Sequence, residues 1–321
     1  SLICATAFTA HAREIERVQH HMGTYARIYV EDGSHDDVNA AFETIKQLDL
    51  LLSDYIPDSQ VSQISKMAGK APVSVSTEVI EVLATAKQVA SETGGEFDPT
   101  IGALTIGVYR FGREDARVPT EEEIAKAKSL VDYELLVLEG DTAYLEKKGM
   151  MLDLGGIGKG YAAEKAVETL KSRGVKDGMV ALSGDMKFFG HDTEVGIRSP
   201  TGGPPIASFR TGKGELAVST SGGYERVIDP GGKAYHHLIV PESGLPGRDF
   251  LSVTVVLTGD AALADAYATA IFVMGKERAL RFLEEHPEIG VFLVFGDRKA
   301  FYNEALTRIV KDPKLPGISA P

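Results

Sequence analysis

The run ALADAYATAIFVMG is apolar almost throughout, and one carboxylate, Asp265, stands inside it. A helix of this composition is buried, and a buried carboxylate needs a partner or a metal. Thr269 follows four residues later, on the same helical face. A carboxylate and a hydroxyl at that spacing are hard oxygen donors suited to magnesium. The plainer alternative pairs Asp265 with a cation and turns the Thr269 hydroxyl back onto the preceding helical turn.

A second stretch, DLGGIGKGYAAEKAVETLKSRG, runs from Asp153 to Gly174 and opens with glycines at 155, 156, 158 and 160 around Lys159. Glycine lets backbone approach a ligand closely, and a helix start presents unpaired N–H groups to phosphate. A Walker loop is excluded, because Gly160 follows Lys159 where a serine or threonine is required. Gly156, Gly158 and Gly160 are one residue short of the dinucleotide spacing G-x-G-x-x-G. Close packing of the helix start would also explain these glycines. Two further stretches offer polar groups. TSGGYERV carries the hydroxyls of Thr220 and Ser221 at a strand end, and YHHLIVPESGLP places His237 beside turn residues.

The elements that must position these groups are legible from periodicity. Val38, Ala41, Phe42, Ile45, Leu48 and Leu52 mark an amphipathic helix after the strand TYARIYV. Ala163, Ala166, Val167 and Leu170 form the buried stripe of the helix behind the glycines, which Gly174 stops. A helix spans Glu78 to Thr93, another is signalled by PTEEEIAKAKSLV, and FDPTIGAL reads as a loop. ALADAYATAIFVMG and KERALRFLEEH read as two helices. LLVLEGDTAYLEKK and GVFLVFGDRKAFY read as hairpins. Strands clustered in hairpins between helices indicate α+β architecture.

The 321 residues carry a net charge of −12, with 43% apolar and 25% charged residues. That balance argues against a nucleic-acid partner, which would require a basic face. It also means that a phosphate ligand must be held by local cations, helix ends or a metal. The single cysteine, Cys4, excludes an intramolecular disulfide and cysteine zinc sites. Residues 1–12 read as a signal-peptide remnant ending in Ala10-His11-Ala12, which predicts export. Leu2-Ile3-Cys4 resembles a lipobox, although the residue before such a cysteine is usually small.

Seven ordered stretches, from Met22 to Gly275, resemble the FAD:protein FMN transferase family, ApbE: MGT, LSDYIPDS, GGEFDPTIGAL, DLGGIGKGYAAEKA, the TSG stretch, HHLIVPESGLP, and SVTV followed by ADAYATA. The resemblance implies an ApbE-like α+β fold of mixed and antiparallel sheets with packed helices. It also implies that residues 13–321 form one two-lobed domain around a central FAD cleft. It implies transfer of the FMN half of FAD to a threonine or serine hydroxyl of a target protein, with magnesium as cofactor and AMP released. Family targets are subunits of membrane-bound redox complexes, and members are largely periplasmic or on the outer membrane face, many lipid-anchored. Some members hydrolyse FAD to FMN and AMP, which leaves a pyrophosphatase, or a non-catalytic flavin carrier, as alternatives.

Roles follow from the same resemblance. Met22 and Tyr55 match flavin-contacting positions, and Glu96, Phe97 and Asp98 match a segment lining the FAD site. Gly155 and Ile239 match further ligand contacts. Lys159, Thr220 and Ser221 add a cation and hydroxyls to that set. Asp265 and Thr269 would ligate the metal, with backbone oxygens of Ala268 and Gly158. His237 would be the base for the acceptor hydroxyl. The chain departs from the family pattern at Gln60, Glu164, Ser183 and Val240.

Overall fold

The alternation in TYARIYV sends Ala26, Ile28 and Val30 to one face and builds strand β2 (Thr24–Val30). It pairs antiparallel with β1 (Ile15–His21), Ile15 opposite Val30 and His21 opposite Thr24. Met22 and Gly23 link them with φ of 51° and 69°, the two left-handed residues of a tight hairpin turn. The computed structural model describes residues 14–224, 227–228 and 235–316. The signal-like segment 1–12, with Cys4, lies outside the described residues.

Six more strands extend this hairpin into an eight-stranded sheet: β3 (Gly178–Leu182), β4 (Asp185–Phe189), β5 (Leu216–Gly222), β6 (Phe250–Leu257), β7 (Gly290–Phe295) and β8 (Ala300–Tyr302). Spatial order equals chain order, and every neighbouring pair is antiparallel. At the β3–β4 turn Ser183 takes φ 56°, a conformation that glycine adopts without strain.

The helices are α1 (His35–Leu52), α2 (Gln60–Lys66), α3 (Thr77–Glu92), α4 (Glu121–Lys128), α5 (Gly158–Ser172), α6 (Ala261–Glu285) and α7 (Glu304–Ile309). The residues buried on α1 are those that the spacing predicts. Its start is held by a capping box between Ser34 and Asp37. Helix α5 packs between α1 and α6, and α6 lies across β5 and β6. Gly275, at φ 71° and ψ 170°, interrupts α6 and separates the two helical stretches read from the sequence.

Ile28, Val180, Leu182, Val253, Val255 and Leu293 face the helices in the main core. Met179, Ala181, Phe188, Val218, Val256 and Phe292 face the other way. There they meet α7 and a three-stranded sheet of Glu194–Ile197, Ala207–Arg210 and Lys311–Lys314. A further small sheet joins Val73–Ser74, Thr142–Leu145 and Leu136–Glu139. The architecture is α+β, built on antiparallel sheets with packed helices.

One local expectation is corrected. FDPTIGAL does not end as a loop: Gly102–Leu104 is a helical turn that continues as a π-helical turn over Thr105–Tyr109. Gly102 lies so close to the neighbouring strand segment that a Cβ there would sit 2.6 Å from the Met151 carbonyl oxygen. Among the described residues no helix is long and apolar enough to cross a membrane.

Candidate functional site

The glycine stretch divides at Gly158. Asp153 to Ile157 form the loop, and Gly158, Lys159 and Gly160 are the first turn of α5. Glycine at 160 permits contact with α6, since a Cβ would lie 2.1 Å from the Ala261 carbonyl oxygen and 2.7 Å from Asp265 Cβ. The approach brings the Gly160 N–H to Asp265 Oδ2 at 2.9 Å. Asp265 is 2% exposed. Burial and the charge of Asp185 push its carboxyl up to about 7, against the pull of Lys159 and of the N–H groups at the α5 start.

Thr269 lies under the loop. A Cβ on Gly156 would fall 2.8 Å from the Thr269 hydroxyl, so only glycine leaves that hydroxyl open to the loop. The Ser221 hydroxyl is 3.3 Å from that of Thr269, and Thr220 pairs with Thr254 across β5 and β6 at 2.9 Å. Gly158 faces Met22, whose Cε is 3.6 Å from where a Cβ would stand. The Met22 N–H donates to Asp49 at 2.8 Å. Thus Met22, Gly158, Ser221, Asp265 and Thr269 converge on the α5 start. Ala268 is fully buried in the interior of α6, one residue before Thr269. The side chains that meet there offer a carboxylate and two hydroxyls, hard oxygen donors that fit magnesium.

Lys159 is ion-paired with Asp185, whose other oxygen accepts from the Ser219 hydroxyl. Its charge therefore has a buried counter-ion. Sequence reading assigned no role to Asp185 or Ser219. The signal was the turn at Ser183-Gly184-Asp185, which places that carboxylate at the β4 start. Glu164 accepts the Ala261 N–H at 2.9 Å and pairs with the fully buried Lys187 at 3.1 Å, fastening α5 to the start of α6.

A second group of residues gathers on the π-turn. The Thr105 hydroxyl donates to Asp153 Oδ2 at 2.5 Å, while the Gly155 N–H donates to Asp153 Oδ1 at 2.8 Å. Four residues on, the Tyr109 hydroxyl donates to the Gly244 carbonyl at 2.9 Å. Ile239 is buried among Leu104, Tyr109 and Phe111. Tyr55 donates its hydroxyl to the Phe111 carbonyl at 3.0 Å, and Arg113 lies 5.1 Å from its ring centre. The ring is 41% exposed, a large aromatic face held in place. The Thr105–Tyr109 turn, missed in the sequence, joins the glycine loop to Ile239 and lies next to Tyr55's anchor.

His237 is half-buried and follows the strand pair Tyr235–His236 with Val227–Ile228. Its neighbour His236 is structural: Nε2 lies 2.8 Å from the Gly247 carbonyl and the ring stands edge-on to Phe272. Burial lowers its pKa, against the pull of the Gly247 carbonyl.

Glu96, Phe97 and Asp98 are all buried. Phe97 belongs to the main core. Glu96 pairs with Arg278 just past the break in α6, and burial raises its pKa. Asp98 accepts from the Thr100 N–H at 2.7 Å, the Thr100 hydroxyl at 2.6 Å and the Tyr133 N–H at 3.0 Å. The segment reaches the glycine loop through backbone: the Asp153 N–H donates to the Pro99 carbonyl at 2.9 Å. A cavity of about 1300 Å³ rimmed by Arg248, Lys276, Arg278 and Arg298 contains neither Asp265, Thr269 nor the glycine loop. We place the chemistry at the loop, where the converging donors are.

Burial drives Asp98 up to about 6. Its folded pKa lies above the unfolded value, so its contribution to stability is full at low pH and is lost as pH rises through 6. The stability advantage of wild type over Asp98→Asn is expected to shrink by about 1 kcal/mol between pH 5 and pH 8. Urea unfolding of both proteins at the two pH values measures it.

The ApbE family model matches residues 22–293. The FAD:protein FMN transferase of Klebsiella pneumoniae (strain 342) is 31% identical over 270 residues, covering 83% of this chain and 84% of the relative. That of Treponema pallidum (strain Nichols) is 29% identical over 315 residues, covering 90% and 87%. Among solved structures, the ApbE protein of Thermotoga maritima superposes with a TM-score of 0.86 at 29% identity, over 94% of this chain and 100% of the other. The flavin transferase ApbE of Vibrio cholerae gives 0.80 at 25%, over 93% and 99%.

Proposed function

The chain belongs to the ApbE family, and on that premise we propose that it is an FAD:protein FMN transferase that joins the FMN half of FAD to a threonine or serine of an acceptor protein. The observation that carries this reading is the buried Asp265–Thr269 face turned onto the glycine loop and the α5 start. Asp265, Thr269 and backbone oxygens at Gly158 and Ala268 would hold magnesium. A bound magnesium ion would offset negative charge on the diphosphate and on departing AMP.

The chain's own groups do the rest. The Gly158 N–H is held by the Leu154 carbonyl and the Gly160 N–H by Asp265, while the positive end of α5 and the missing side chains at 155, 156 and 158 would admit a diphosphate at the loop. Tyr55 offers its exposed ring to the isoalloxazine, and Met22 borders the same loop. His237 would take the acceptor's hydroxyl proton as that oxygen bonds to the FMN phosphorus and the bond to the AMP oxygen breaks. Export to the periplasm or the outer membrane face is part of the proposal, supported by the run ending in Ala10-His11-Ala12. Acceptors among subunits of membrane-bound redox complexes belong to it too, through the family resemblance.

Incubation with FAD, magnesium and a candidate acceptor subunit is expected to add the mass of one FMN to a threonine or serine, with equal release of AMP. Release of both FMN and AMP with no adduct on any acceptor would assign FAD hydrolysis instead. Intact FAD would overturn both.

A further inference from the structure

At the opposite end of the strands from Asp265, three side chains from adjacent strand ends meet. Glu31 follows β2, Asp177 precedes β3 and His191 lies just beyond β4. Val30 is opposite Gly178, and the Glu31 N–H donates to the Asp177 carbonyl at 3.2 Å. Gly178 and Gly190 bridge, which brings the β4 exit against the β3 start. Both positions require glycine: a Cβ would lie 2.4 Å from the Tyr29 carbonyl oxygen at 178 and 2.1 Å from that of Lys176 at 190. The backbone is thus built to bring these side chains together.

His191 Nδ1 lies 3.0 Å from Glu31 Oε1 and 2.9 Å from Asp177 Oδ1. One ring nitrogen carries at most one proton and can satisfy one of these oxygens, not both. Asp177 Oδ1 is buried without a hydrogen bond. All three ligand atoms fall within 4.8 Å of one another. Metal–ligand bonds of about 2.0–2.1 Å place neighbouring ligand atoms roughly 3 Å apart, which matches the two short distances. The Tyr29 ring packs 4.9 Å from the His191 ring, and its hydroxyl donates to Glu31 at 3.3 Å, orienting that carboxylate. Asp32 adds charge of the same sign, its carboxylate accepting the Lys176 N–H at 3.2 Å.

We propose that Glu31, Asp177 and His191 form a second divalent-cation site, suited to zinc or a similar first-row ion and separate from the Asp265 site. Imidazole as ligand favours such ions over magnesium. His191 lies six residues beyond Asp185, the partner of Lys159, along β4 and its exit, a span of up to about 20 Å. The ion ties the ends of β2, β3 and β4 together.

The test is calorimetric titration of zinc chloride into the chelator-treated full chain, with millimolar magnesium present. Wild type is expected to show one zinc site that weakens at least about tenfold in His191→Ala and in Glu31→Gln and persists in Asp265→Asn. No zinc site, affinity unchanged in His191→Ala, or loss confined to Asp265→Asn overturns the proposal. Because His191→Ala can disturb the strand ends, wild-type crystals soaked in zinc provide an independent readout. An anomalous peak bonded to His191 Nδ1 supports the site, and zinc elsewhere alone overturns it.

Discussion

Replacing Asp265 with asparagine is expected to leave a folded protein that binds FAD but transfers FMN at least about a thousandfold more slowly. The substitution keeps the side chain's shape against the Gly160 N–H and removes the charge that a cation needs. Asparagine also relieves the cost of a carboxylate that is 2% exposed and raised to about 7, so the ligand-free variant should melt no lower than wild type. Adduct formation followed by mass spectrometry gives the rate, and quenching of flavin fluorescence gives FAD affinity. Turnover within a few-fold of wild type would remove Asp265 from the chemistry. Equal loss of FAD binding would make it a residue that shapes the pocket.

A large loss of stability is expected at Gly160. A Cβ there would stand 2.1 Å from one backbone oxygen and 2.8 Å from the Ala261 carbonyl carbon, so no side-chain rotation relieves it. Gly160→Ala must push α5 and α6 apart, at a cost of about 3 kcal/mol or more. The melting temperature should fall by about 4 °C or more. Gly158→Ala, two residues earlier, is the control. Its nearest neighbour would be Met22 Cε at 3.6 Å, an ordinary contact. Alanine in a helix there should gain up to about 1 kcal/mol. Calorimetric melting of the pair tests whether the glycine stretch serves helix contact at 160 and ligand access before it; equal melting temperatures would refute that division.

Periodicity carried most of the architecture. The stripes of α1 and α5 and the hairpin strands follow from spacing alone, because local hydrophobic pattern and tertiary burial agree there. The break in α6 was legible for the same reason, as a glycine between two helical patterns. Lys187 was not legible. In DMKFF it reads as an outward residue, yet alternation turns it to the helix layer, where Glu164 and Glu215 meet it from distant segments. The π-turn at Thr105–Tyr109 stayed hidden because its side-chain ties are long-range, Thr105 to Asp153 and Tyr109 to Gly244, which local propensity does not register. At the site, the Asp265–Thr269 spacing predicted a shared face, and the structure sets that face against the glycine loop. Asp185, which holds Lys159, depends on a strand pairing that no short motif encodes.

The two halves of that site reach it from opposite ends of the sheet's assembly. The glycine loop lies in the excursion between β2 and β3, and Asp265 and Thr269 lie in the crossover between β6 and β7. A ligand held between them binds no partial fold, so its binding energy acts on the unfolding of the whole sheet. At a hundredfold excess over its dissociation constant, such a ligand contributes about 2.7 kcal/mol to global stability. A ligand seated there would thereby also act as a brake on unfolding.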